Sequence, residues 1–483
     1  MKNLSERISA LSPTQRALFE ARLKQQSLDA RKALAQSQAI PRRQPLNNCP
    51  LSYDQERLWS LNQSAEGNPA YVIYTASRLE GRLDVAVMQR AINEIVRRHE
   101  ILRATFAMID GSPVMVIAPQ LQLPLPVDDL MSLPASERLQ EAMRRVNLAA
   151  GKAFDLSCGP LVRVGLLRLD EQDHVFYINL HHTITDRWSA VLVEEELAVL
   201  YDAFSKGEPS PLAEMPVQFP DFAAWQRQWL QGETLAAQSV YWQQQLADAP
   251  LVLQLPTDHP RPPVQQFRGA REHILIPKRL LAALKSLSQR EGATMFMTML
   301  AAYNLLLYRY SQQGDILIGL TISNRERPET VGMLGYLLNM IVLRTRLAGH
   351  LSFRQLLQQV RAAVIGAFAH QDMPFGLLIK QLQPPPDPSR SPIFQVSYIY
   401  LDFPELGAMN QVGLRATGLN PDNGSSRFDL TLALTEKSAG LDALFEYNTD
   451  LFEAASIRRM LEHFVSMLEA IASDADRPLA ELP

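Results

Sequence analysis

Apolar positions recur along this chain with two different spacings, and the alternation between them predicts a mixed α/β protein. Val87, Ala91, Ile92 and Ile95 fall three and four residues apart, which predicts a helix over residues 84–98. The apolar run from Ile101 to Phe106 predicts a strand directly after it. Over residues 174–180, Val175, Tyr177 and Asn179 alternate with Phe176, Ile178 and Leu180, the pattern of a buried strand, and this strand runs into two adjacent histidines. Helical spacing resumes over 190–204. Residues 292–308 carry no formal charge, but Thr294, Thr298 and Asn304 interrupt them and they are short for a bilayer span, so a buried core helix is expected.

Breaks in these patterns divide the chain. The sequence LPTDHPRPP at 255–263 cannot continue a helix and is the natural connection between two halves. Near the start, Ser12 and Gln15 form a capping box with Pro13 at the first helical position, and Leu18, Phe19 and Leu23 follow on one face. This short amphipathic helix precedes a polar stretch with Pro41 and Pro45, so residues 1–45 read as a docking or linker segment or as a domain-capping helix. The expected organisation is an N-terminal lobe over 48–220, a connection over 221–259 and a C-terminal lobe over 260–483.

At 483 residues the chain is long enough for two lobes with separate cores. A net charge of -4 supplies no broad cationic field, which argues against nucleic acid as a partner. Lys2, Glu6 and Arg7 interrupt what a secretory signal would need as an apolar run, and a cytoplasmic protein that does not contact membranes is expected. Cys49 and Cys158 lack CxxC spacing, so neither a zinc site nor a disulfide framework is indicated.

The candidate chemistry lies in LHHTITDRWS at 180–189, whose core is His181-His182-x-x-x-Asp186. Adjacent residues of a strand point to opposite faces, so at most one of the two histidines addresses a given cavity. Without HExxH or a third clustered ligand a metal site is disfavoured, and a buried, satisfied histidine is the competing reading. No Ser nucleophile elbow or catalytic Cys signature is present, so no covalent enzyme intermediate is expected.

The motif is one of a series in fixed order. LSYDQERLW at 51–59, with Asp54 where Ala is usual, is followed by RRHEILRATF at 97–106 and then by LHHTITDRWS, with Arg187 where Gly is usual. FPDFAAWQ at 219–226, IGLTISNR at 318–325 with GYLLNMIVLR at 335–344, HQDMPFGLL at 370–378 with Gly376 where Glu is frequent, and DPSRSPIFQVSY at 387–398 complete it. Together these resemble the condensation domains of non-ribosomal peptide synthetases.

The resemblance implies a fold of two chloramphenicol-acetyltransferase-like lobes arranged as a V-shaped pseudo-dimer, with His182 at the floor of a channel between them. It implies amide formation between a carrier-bound acyl or peptidyl thioester and an aminoacyl amine. No cofactor is expected in the domain itself; the substrates ride on phosphopantetheine arms. The implied partners are the upstream donor and downstream acceptor carrier domains and the adjacent synthetase domains. His182 is implied to face the reaction centre, with Asp186 architectural and paired to an arginine of the second motif, Arg103 in preference to Arg98. His181 and Trp188 are read as packing residues. Arg187 and Ser189 are candidates for the channel wall, and Arg187 could instead contact a phosphopantetheine phosphate or fold outward.

The chemistry suits such spare equipment. A thioester is already activated, and an α-amine with a pKa of about 7.7–8.0 is partly neutral near neutral pH. Histidine could then accept a hydrogen bond from the amine or relay its proton. An epimerisation-type relative shares the histidine motif but carries further acidic motifs, and a heterocyclising relative has aspartates in place of the histidines. A catalytically silent carrier-binding or recruitment domain is the alternative of a different class.

Overall fold

The alternating segment before the histidines forms the central strand Asp173–His181, and its apolar side chains organise the N-terminal half. In the computed structural model, which describes residues 39–44, 48–64, 67–401 and 408–483, it pairs antiparallel with Val72–Glu80 on one side and Val162–Asp170 on the other. Val127–Asp129 adds a parallel edge to the latter, completing that side of a five-stranded sheet. A three-stranded sheet of Asn48–Pro50, Ser112–Ile117 and Ala104–Ile109 stands beside it. The amphipathic segment 12–23 lies outside the described residues.

The predicted helix forms as Val85–Arg98, started by Asp84, whose carboxylate accepts from the amides of Ala86 and Val87 at 3.0 and 3.1 Å. Its inward face carries Met88, Ala91, Ile92, Ile95 and Val96. The strand expected over 101–106 begins later: Glu100–Arg103 is a 3-10 turn, and the strand is Ala104–Ile109. The charge-free segment forms the helix Met295–Ser311, with Leu300 to Leu307 wholly buried.

The C-terminal half is built on a six-stranded mixed sheet, in the order Asn339–Arg346, Asp315–Ile322, Val396–Leu401, Leu430–Lys437, Gly440–Asn448, Gly269–Pro277. Val396–Leu401 runs parallel to both neighbours, and the helices Phe353–Ala369 and Phe375–Leu382 lie in the crossover that precedes it. Residues 219–246, placed by sequence at the end of the first lobe and in the connection, hold the helices Phe219–Trp229 and Gly232–Leu246.

The two halves interlock. The strand Arg415–Leu419 leaves the C-terminal half and pairs with Val72–Glu80 as the edge of the N-terminal sheet, which departs from a clean division near residue 260. Met333, Leu334 and Leu337, between the short helix Pro328–Val331 and the strand Asn339–Arg346, are buried in the N-terminal core. No helix among the described residues is long and apolar enough to cross a membrane.

Candidate active site

The strand Asp173–His181 ends at the first histidine, and a 3-10 turn of His182–Ile184 carries the chain to the helix Arg187–Ser205. This turn is held from the first motif. Gln55 Nε2 donates to the Thr183 carbonyl at 2.8 Å, while Gln55 and Ser52 exchange bonds at the start of the helix Tyr53–Ser64. His182 is 3% exposed, and Tyr336 closes over it with ring centroids 4.9 Å apart in a T-shaped contact. The histidine thus lies where the two halves meet.

Its protonation follows from its partners. His182 Nδ1 lies 2.8 Å from the Thr185 carbonyl oxygen, which can only accept, so Nδ1 carries the proton and Nε2 presents a lone pair. Burial pushes the imidazole down to about 3, aided by the charge of Arg427 and opposed by the Thr185 bond. His182 is therefore neutral at pH 7. His181 turns away from it: its Nδ1 accepts from the Thr183 amide at 3.2 Å, its ring packs edge-on against Phe154, and burial lowers it to about 3 as well.

Asp186 is fully buried and does several jobs at once. Oδ1 caps the helix Arg187–Ser205 by accepting from the Ser189 amide and hydroxyl, both at 2.7 Å. Arg325 Nη2 donates to both carboxylate oxygens at 3.0 Å, and the Leu337 amide donates to Oδ2 at 3.3 Å. The partner expected from sequence was Arg103, and that expectation is corrected. Arg103 sits in the 3-10 turn, where its guanidinium donates to the carbonyls of Val96, Ala118 and Pro119 and closes the end of the helix Val85–Arg98. Arg98 is committed to Glu196 and to the carbonyls of Leu212 and Ala213.

Ser189 is not a channel residue either. It is 1% exposed, and its hydroxyl, whose one proton goes to Asp186, accepts from the Gly335 amide at 3.1 Å and from Arg325, with the Gly335 carbonyl oxygen also 3.1 Å away. Trp188 also reaches the C-terminal half, donating from Nε1 to the Val331 carbonyl at 2.9 Å. Arg187 is half-buried beside Glu194, and burial lowers its pKa. Gly335 is required by space: a Cβ there would lie 1.9 Å from the Phe219 ring. Gly335→Ala should therefore destabilise the protein by about 1–3 kcal/mol through overpacking, read as a lowered melting temperature. An unchanged melting temperature would mean that the Phe219 ring moves aside freely.

The remaining motifs build the surroundings. Asn339 donates from Nδ2 to the carbonyls of Gln371 and Met373, tying the HQDMPFGLL segment to the sheet. Asp221 and Gln218 form a capping box on the helix Phe219–Trp229, and Gln218 Nε2 donates to the Arg98 carbonyl at 2.7 Å. Arg325, Gln55 and Tyr336 were not assigned roles from sequence, although all three lie within the recognised motifs. Among the described residues no group of three or more His, Cys, Asp or Glu could hold a metal ion.

A family model described as "Condensation domain" matches residues 46–483. The chain belongs to the condensation-domain family. One component of the linear gramicidin synthase of Brevibacillus parabrevis is 44% identical over 473 residues, covering 97% of this chain and 9% of that protein. Phosphinothricin tripeptide synthetase PhsC of Streptomyces viridochromogenes is 39% identical over 487 residues, covering 100% of this chain and 44% of its own length. The chain thus spans less than half of either synthetase. The crystal structure of the X-domain from teicoplanin biosynthesis superposes with a TM-score of 0.85 at 26% identity, covering 92% of this chain and 99% of that one. The fold is accordingly that of the condensation domains, mixed α/β with the chloramphenicol-acetyltransferase-like arrangement. In non-ribosomal peptide synthetases such as these relatives, condensation domains form the peptide bonds.

Proposed function

We propose that this condensation domain joins an amine to a carrier-bound acyl or peptidyl thioester, with His182 as the residue that receives the amine. The observation that carries the reading is the fixed tautomer of His182. With its Nδ1 proton committed to Thr185, Nε2 is a hydrogen-bond acceptor with no partner among the described residues, at the junction of the two halves. An imidazole lowered to about 3 holds a full proton at pH 7 only at a cost of several kcal/mol. It therefore orients the neutral amine and passes its proton on rather than storing it. The amine lone pair adds to the thioester carbon, the N–H proton leaves through Nε2, and the C–S bond breaks as the phosphopantetheine sulfur departs with that proton.

Positioning of two tethered substrates supplies much of the rate in this reading, since the thioester is already activated and the reaction needs no covalent intermediate. The partners would be carrier domains on the donor and acceptor sides within a larger synthetase, with phosphopantetheine as the substrates' arm rather than a bound cofactor. Both histidines of the motif are present, and Asp186 keeps its full set of bonds, which favours activity over a silent recruitment role. The test is product mass after mixing the protein with one acyl-loaded carrier and one aminoacyl-loaded carrier. An amide product at a rate well above the protein-free mixture is expected. Carriers that bind the protein yet give no product across a panel of donors would leave recruitment as its role.

A further inference from the structure

The reaction separates charge in two directions, and His182 answers only one of them. Its Nε2 accepts the proton side of the attacking amine, while negative charge must build on the carbonyl oxygen of the thioester. Donors already in place for that oxygen contribute more than donors that must reorganise.

Arg57, from the helix Tyr53–Ser64, crosses into the C-terminal half beside this site. Its guanidinium lies 5.5 Å from the Phe375 ring centroid, and its Nη2 lies 3.9 Å from Met340 Sδ. Its Nε is buried without an acceptor, and no carboxylate lies within ion-pair distance of the guanidinium among the described residues. Asp54, buried one turn earlier in the same helix, acts on it through charge alone. The Tyr336 hydroxyl lies beside the Arg57 guanidinium, and the Tyr336 ring touches His182. Burial pushes the Tyr336 phenol up to about 12, so at neutral pH it is a donor. Arg427 adds a second positive charge felt by both His182 and Tyr336.

A half-buried cation without an ion-pair partner is costly, and such groups concentrate where function uses them. We propose that Arg57, assisted by the Tyr336 hydroxyl, holds the negative charge that develops on the thioester carbonyl oxygen when the acceptor amine adds at His182. This rests on the amide-forming reading above. As the amine lone pair forms the C–N bond, the C=O π pair moves onto oxygen. Arg57 and Tyr336 donate to that oxyanion until the pair returns and expels the thiolate, which takes the proton relayed by His182. The purely structural account is that Arg57 packs on Phe375 and is balanced at a distance by Asp54.

The experiment compares wild type, Arg57→Met, Arg57→Lys, Tyr336→Phe and His182→Ala for kcat and KM with carrier-bound donor. The same proteins are tested for affinity toward a phosphonamidate, which mimics the anionic tetrahedral adduct, and toward the neutral amide product. For Arg57→Met the expected result is a loss of about 10²–10³ in kcat with KM little changed. Its affinity for the phosphonamidate falls in parallel, its affinity for the amide product is kept, and Arg57→Lys recovers part of the loss. Tyr336→Phe shows a smaller loss of the same kind. A folded Arg57→Met protein with wild-type kcat, or one that loses both affinities equally, overturns the proposal. If Arg57→Met does not fold, wild-type kcat in both Arg57→Lys and Tyr336→Phe overturns it instead. An active wild type slowed by His182→Ala but not by the Arg57 and Tyr336 variants removes this inference alone, whereas an inactive wild type removes the amide-forming reading with it.

Discussion

His182→Ala should lower amide formation by about 10²–10⁴-fold, the range of positioned proton-transfer groups, while the protein remains soluble and folded. The pH dependence sharpens this expectation. An imidazole lowered to about 3 is neutral throughout pH 5–9, so the wild-type rate should show no inflection near 6.5. The acid limb should instead follow the acceptor amine and move with its pKa when a second acceptor is used. Stability responds in the opposite part of the scale. His181 and His182 both take up protons more readily when unfolded, so stability is full above about 6.5 and declines as pH falls toward 3. The decline should be shallower in His182→Ala. A rate inflection fixed near 6.5 for both acceptors would show that His182 titrates in the working range. Equal rates for mutant and wild type would take it out of the mechanism and favour the recruitment reading.

Asp186→Ala should abolish or sharply reduce soluble, folded protein. Its loss leaves Arg325, 8% exposed, without a counterion and leaves the Ser189 and Leu337 amides without their acceptor. Breaking a buried pair of this kind costs about 3–5 kcal/mol, a large share of a domain's stability. A double-mutant cycle with Asp186→Asn and Arg325→Met, read by denaturant unfolding, should show strong coupling. Arg103→Ala combined with Asp186→Asn should be additive, because Arg103 bonds to backbone carbonyls elsewhere. Additivity in the Arg325 cycle would mean that the charges do not interact as their geometry indicates.

The sequence made the elements near the site legible where periodicity was strong. Apolar alternation located the strand Asp173–His181, and the charge-free run located the helix Met295–Ser311, because each side-chain spacing has one backbone that buries it. What spacing could not convey was pairing across the chain. Arg325 lies 139 positions from Asp186, and nothing in local pattern distinguishes it from Arg103, which sits near a neighbouring segment. Arg325 lies in the irregular segment that follows the strand Asp315–Ile322, where no periodicity marks it as buried. Ser189, expected as a candidate for the channel wall, is instead turned inward by the helix cap to Asp186 and Gly335, a placement that its position in the motif does not convey. The 3-10 turn at Glu100–Arg103 escaped detection because Ile101 and Leu102 are buried there as they would be in a strand.

The strand Arg415–Leu419 bears on how domains of this kind can be recombined. It pairs residue by residue with Ala76–Glu80, from Arg415 against Glu80 to Leu419 against Ala76. A chimera that took its first half from one parent and everything beyond residue 260 from another would place that edge strand on a foreign neighbour. It would also set a foreign Arg325 against the recipient's Asp186 and foreign residues 333–337 into the recipient's core. The natural unit of exchange is therefore non-contiguous: the first half travels with the edge strand and with the 325–337 segment, so a graft that respects the packing needs more than one crossover.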